Sequence, residues 1–130
     1  MSASIVCLDD GEDLRMIFRQ LVENKCGMDC LTFGSVKEFL EYSQEVLKSK
    51  LIFLDINLKP GEPSGIDAYS WLVANNYEGK IFFLTGHGRS HPLVRKAEES
   101  GIEVLEKPIS ADRLCSLILS SVKDQTKAIK

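Results

Sequence analysis

The chain has 130 residues, 44% hydrophobic and 27% charged, which is the size and balance of one ordinary globular domain. A net charge of −3 argues against a general attraction to nucleic acid or an anionic membrane, and no apolar run approaches membrane-spanning length. The N-terminus MSASIVCLDD has no basic segment followed by a long apolar one, and the four cysteines show no C-x-x-C spacing, so the reading is a reduced, cytoplasmic setting.

The first predicted strand is the apolar run Ile5–Leu8, which leads straight into Asp9-Asp10. A helix follows, with Leu14, Ile17, Phe18, Leu21 and Val22 at i, i+3, i+4, i+7, i+8 and Gly27 placed to end it. Cys30–Phe33 is the second strand. Ser35-Val36-Lys37-Glu38 has the form of a capping box and opens a second helix. The third strand, Leu51–Leu54, runs into Asp55. A third helix carries Ile66, Tyr69, Leu72 and Val73. The fourth strand, Ile81–Leu84, ends in Thr85. Pro92 begins a fourth helix with Leu93, Val94 and Ala97, and Gly101 closes it. The fifth strand, Ile102–Leu105, leads into Lys107-Pro108. Ser110 caps a fifth helix with Leu114, Leu117, Ile118 and Val122. Residues 1–123 read as one domain and 124–130 as a short polar tail.

Five strand–helix units imply a parallel sheet covered on both faces, whose strands read as continuous apolar runs. The simplest arrangement is a flavodoxin-like, doubly wound α/β sheet of order 2-1-3-4-5. In such sheets the ligand site lies at the carboxyl ends of the strands, where the order reverses. Asp55 is therefore expected on the rim, with the apolar run LIFL as its support, rather than inside a core.

The rim gathers three carboxylates and one ammonium, a net charge of −2. Two like charges about 4 Å apart repel by roughly 4 kcal/mol at an effective dielectric of about 20. Either protons or a cation must relieve this. All the candidate ligands are oxygens, which favours a hard ion such as Mg²⁺ over zinc. Lys107 and the Thr85 hydroxyl would suit an oxyanion. The chemistry that matches is phosphoryl transfer with a carboxylate as acceptor. Each residue has a plainer reading taken singly: an Asp as helix N-cap, Asp55 or Thr85-Gly86 as turn formers, Lys107-Pro108 as a loop.

The set Asp9-Asp10, Asp55, Thr85 and Lys107-Pro108, in this order, resembles the receiver domain of two-component response regulators, and the likeness runs from Ile5 to Val122. The resemblance implies that Asp55 accepts a phosphoryl group from a phosphohistidine on a sensor histidine kinase or phosphotransfer protein. Asp10 would bind Mg²⁺ directly, Asp9 partly through water, and the Asn57 carbonyl would complete the protein ligands. Lys107 would pair with the phosphoryl oxygens, with a cis Lys107–Pro108 bond. Thr85 would turn toward the phosphate. Asn57 and His87 fall at positions that tune phosphoryl lifetime in the family; a solvated loop is the competing reading for His87.

Two features depart from the family. The loop after Asp55, INLKPGEPSG, is about two residues longer than usual. Val104 stands where the family usually carries Tyr or Phe, so switching is expected to rely on the Thr85–Arg89 loop and the fourth helix. With no output module after Val122, signalling must pass through a surface to a downstream protein target. Trp71 lies about 160° around its helix from Val73, which makes it either a packing residue or an anchor. Cys115 and Leu119 widen the apolar arc of the fifth helix to about 200°, a candidate docking face or phosphorylation-dependent homodimer face. Arg89, Arg95 and Lys96 read first as a solvated face and second as partner recognition. Two alternatives stand beside the phosphoryl-accepting reading. One is a pseudo-receiver that binds partners without phosphorylation. The other is a Mg²⁺-dependent phosphohydrolase, disfavoured by Asn57 and the lack of a cap domain.

Overall fold

The computed structural model describes residues 4–56, 61–86 and 91–129, with side-chain surroundings up to residue 122. The strands are β1 (Ile5–Leu8), β2 (Cys30–Phe33), β3 (Leu51–Asp55), β4 (Lys80–Thr85) and β5 (Val104–Glu106). The helices are α1 (Glu12–Lys25), α2 (Val36–Glu41), α3 (Ser43–Lys48), α4 (Gly65–Ala74), α5 (Pro92–Glu99) and α6 (Ala111–Ile129). Among the described residues, no helix is long and apolar enough to cross a membrane.

All strands are parallel, in the expected order β2-β1-β3-β4-β5. β3 sits between β1 and β4 and is wholly buried. Side chains alternate across a strand, so its apolar run feeds two cores. Ile52 and Leu54 pack with Val6, Leu8, Phe83, Ile66, Leu72 and Val94 on the α2–α5 side. Leu51 and Phe53 pack with Ile5, Cys7, Phe18, Val22 and Ile118 on the α1/α6 side. There Phe53 meets the edge of Phe18 at 5.2 Å and stacks on Phe82 at 5.4 Å between centroids. This is why LIFLD ends rigidly: four residues are locked into two cores and the fifth is carried to the sheet edge.

Several local signals act as expected. Gly27 and Gly101 follow α1 and α5 with φ of 69° and 83°, the left-handed region that glycine enters without steric cost. Ser110 Oγ accepts from the Arg113 amide at 3.2 Å and caps α6. Other signals act differently. The predicted second helix is two short helices that break at Tyr42 (φ −110°, ψ 36°). Ser35 Oγ accepts from the Glu38 amide at 3.2 Å, but a reciprocal capping pair occurs at α4: Ser64 Oγ accepts from the Ile66 amide and Asp67 Oδ2 from the Ser64 amide. β5 begins at Val104, not Ile102, because the Ile102 amide donates to Ser100 Oγ. The polar stretch from residue 124 continues α6 as helix to Ile129.

Candidate functional site

Asp9 follows β1 directly, Asp55 ends β3, Thr85 ends β4, and Lys107 follows β5. The parallel register brings these ends together. Asp55 lies opposite Leu84, Thr85 opposite Glu106, and the Lys107 amide donates to the Thr85 carbonyl at 2.8 Å. Lys107 Nζ then donates to Asp9 Oδ2 at 2.6 Å and to Asp55 Oδ2 at 2.9 Å. One carboxylate oxygen from each of Asp9, Asp10 and Asp55 lies within 4.8 Å of the others.

Asp55 stands on the rim, at the end of β3, and is covered there. Asp55 and Asp9 are each only 4% exposed, and Thr85 is 1% exposed. The Lys107 side chain runs over the two buried carboxylates, while Asp10 is the least buried of the three. The N-cap of α1 is Gly11, so neither Asp9 nor Asp10 is spent on capping that helix, and the plainer reading of that pair fails. Asp9 Oδ1 instead accepts from the Gly11 amide at 2.9 Å. The Lys107–Pro108 peptide is cis. Beneath the pair, burial pushes the Cys7 thiol well above its usual value, reinforced by Cys30 and by the negative charge of Asp9, so Cys7 stays a neutral thiol.

Three carboxylates, all oxygen donors, with one ammonium between two of them, form a site able to hold a hard divalent cation and an oxyanion together. Burial works against the charge on Lys107, but its hydrogen bonds and attraction to Asp9 and Asp55 outweigh this and raise its pKa above the usual 10.5. A raised lysine pKa means that the stabilisation is complete below the unfolded value and is lost as pH climbs through the folded one. We therefore expect the stability difference between the native protein and Lys107→Met to be constant up to about pH 10 and to shrink above 10.5. At pH 7 the variant should lose about 1–3 kcal/mol, because two buried carboxylate oxygens are left without their hydrogen-bond donor. Urea unfolding of both proteins across the pH range tests this; a difference that grows with alkalinity would reverse the assignment.

The other predicted residues are distributed unevenly. Asn57, His87 and Arg89 lie outside the described residues. Arg95 and Lys96 are exposed on α5. Val104 is half-buried and, with Thr85, Val94 and Leu105, walls a cavity of about 190 Å³. Trp71 packs on the core, edge-on to Phe39 at 6.0 Å, whereas Val73 is exposed, so the predicted core stripe of α4 is rotated. Cys115 is buried beside Cys26, which places it in the α1–α6 seam rather than on a free face; Leu119 is exposed.

One feature carried no expectation, and a second departs from the one it carried. Arg15 reaches back from α1 to the Asp9 carbonyl at 2.8 Å. A basic residue six positions after the first carboxylate was the available signal. The second is the flank of α1, where Leu14, Met16 and Ile17 are each more than half exposed although Leu14 and Ile17 read as core. Phe18 and Val22 fill the core side of the helix, and Leu14 and Ile17 instead line a groove of about 420 Å³ with Pro108, Ile109 and Leu114. The groove reaches Asp9 and Lys107.

Comparison with known proteins agrees with this geometry. A family model described as the response regulator receiver domain matches residues 5–119. The chain is 25% identical over 118 residues to the nitrogen assimilation regulatory protein NtrX of Azorhizobium caulinodans. That match takes in 88% of this chain and 25% of the relative, so the chain spans about a quarter of that protein's length. Among solved structures, it superposes with a TM-score of 0.81 on the signal receiver domain of a protein assigned as a Luxo repressor from Vibrio parahaemolyticus, at 25% identity, covering 98% of this chain and 95% of that one. A response regulator receiver domain protein from Clostridium thermocellum gives a TM-score of 0.80 at 24% identity, covering 97% and 98%.

Proposed function

The chain belongs to the response regulator receiver domains, signalling domains of two-component systems rather than enzymes in the ordinary sense, and on that premise we propose that Asp55 is its phosphoryl acceptor. The observation that carries this reading is the placement of Lys107 Nζ between Asp9 and Asp55, with Asp10 alongside. A carboxylate oxygen of Asp55 attacks phosphorus, forming an O–P bond as the N–P bond to the donor imidazole breaks, and the imidazole leaves with the electron pair. Lys107 turns its N–H donors toward the phosphoryl oxygens, keeping its protons, and so neutralises part of their charge. The donor set of Asp9, Asp10 and Asp55 fits Mg²⁺, which when bound supplies further charge neutralisation. Thr85, tied to Lys107 through the backbone, would offer its hydroxyl to the phosphoryl group and pass the change to the α5 side.

The donor is a sensor histidine kinase or a phosphotransfer protein, and the output is a downstream protein target in the cytoplasm. The apolar flank of Leu14 and Ile17, open beside Asp9 and Lys107, is where a donor's own apolar surface would seat. The exposed Arg95 and Lys96 offer a separate face on α5 for the output partner.

Intact mass after incubation with acetyl phosphate and Mg²⁺ tests the reading. We expect a single phosphoryl adduct that a chelator abolishes. No adduct under any metal condition would overturn the proposal in favour of a pseudo-receiver, with Val104 as its first explanation.

A further inference from the structure

We propose that Arg15 is a positioning residue for the acid pair, holding the peptide plane between Asp9 and Asp10 so that both carboxylates face one cation; this rests on the proposed function above. Asp9 is held at four points. Its amide donates to the Phe33 carbonyl at 3.0 Å, and its carbonyl accepts from Arg15 Nη1 at 2.8 Å. Its Oδ1 accepts from the Gly11 amide at 2.9 Å and its Oδ2 from Lys107 Nζ at 2.6 Å. Two of these bonds act on the near side of Asp9 or on its side chain, and the Gly11 bond holds the peptide unit on the far side of Asp10. The Arg15 bond is different, because the carbonyl of Asp9 belongs to the peptide unit that joins it to Asp10. Rotating that plane would re-aim the Cα–Cβ bond of Asp10, the least buried member of the trio.

Arg15 is itself held in place. Its amide donates to the Gly11 carbonyl at 2.9 Å, anchoring it to the turn between β1 and α1. Its guanidinium lies over Gly34, between β2 and α2. A Cβ at position 34 would come within 2.8 Å of Arg15 Nη1 and 3.1 Å of Cζ, so the guanidinium occupies space that only glycine leaves free. The planar fork of arginine suits this slot as the ammonium of lysine would not. Partners that orient ligand residues in this way typically contribute about 10–100-fold to metal affinity.

Calorimetric titration with Mg²⁺ alone, on the native protein, Arg15→Ala and Gly34→Ala, decides the matter. We expect both variants to raise the Mg²⁺ Kd by about tenfold or more. Gly34→Ala is the discriminating variant, since it keeps the arginine charge and displaces only the tip of a flexible side chain. Thermal unfolding of the metal-free proteins is measured alongside, because a purely structural role would lower the midpoint without weakening Mg²⁺ binding by the folded protein. An unchanged Kd in both variants overturns the proposal. So does a weakened Kd in Arg15→Ala alone, which would assign the effect to charge rather than position. If Arg15→Ala fails to fold, Gly34→Ala decides alone. Absence of Mg²⁺ uptake by the native protein would instead sink the proposed function, a failure separate from this one.

Discussion

Asp55→Asn should fold normally and take up no phosphoryl group, a loss of at least about 1,000-fold in the rate of adduct formation with acetyl phosphate. The substitution keeps the shape and volume of the side chain at the end of β3, and the amide oxygen can still accept from Lys107 Nζ, now 2.9 Å from Asp55 Oδ2. What it removes is the negative oxygen that attacks phosphorus. Of its neighbours, Asp9 has both carboxylate oxygens engaged, by Gly11 and Lys107, and Cys7 is kept a neutral thiol by burial. The net charge of the trio with Lys107 falls from −2 to −1, which relieves repulsion among buried carboxylates. The metal-free variant should therefore be as stable as the native protein or more stable, by about 1 kcal/mol. Intact mass and thermal unfolding measure the two effects. Adduct formation at the native rate would move the acceptor elsewhere on the rim.

Much of this site was legible because parallel sheets write themselves plainly. LIFLD, IVCLDD and IFFLT are apolar on both faces, and each ends in the polar residue that the site uses. Once the runs are numbered, the reversal between β1 and β3 places Asp9 beside Asp55 without any knowledge of side-chain contacts. Less legible was whatever depends on which part of a helix faces inward. Val73 proved exposed while Trp71 took its packing reading, because an apolar stripe spaced by three or four residues leaves the buried face of a short helix loosely fixed. Leu14 and Ile17 fit the stripe of α1 but line the groove toward Pro108 and Ile109. The burial of Asp55 was hidden for another reason. Its neighbours include a lysine fifty-two residues away and the start of α4, and nothing local to LIFLD encodes them.

Gly65→Ala should be the most damaging single-methyl change near the site, destabilising by about 3 kcal/mol or more and slowing phosphoryl uptake with it. Gly65 opens α4, and a Cβ there would lie 2.2 Å from the Asp55 carbonyl oxygen and 2.9 Å from its carbonyl carbon. Neither side can yield cheaply. Asp55 is fixed in register with Leu84 at the end of the fully buried strand β3, and the next residue, Ile56, donates to the Leu84 carbonyl at 2.9 Å. α4 is fixed by its reciprocal Ser64–Asp67 cap and by the burial of Ile66, Ala68 and Leu72. Relief must come from moving the helix off the sheet or from twisting the backbone of the acceptor residue itself, and either displaces the Asp55 carboxylate from Lys107. The same change at Gly34 meets side-chain atoms at the far end of Arg15 rather than backbone and should cost little stability. Chemical unfolding of the two variants side by side, with adduct formation on each, separates the cases. A Gly65→Ala protein within about 0.5 kcal/mol of the native value would mean that α4 shifts freely on β3, and the rigid platform argued for Asp55 would have to be abandoned.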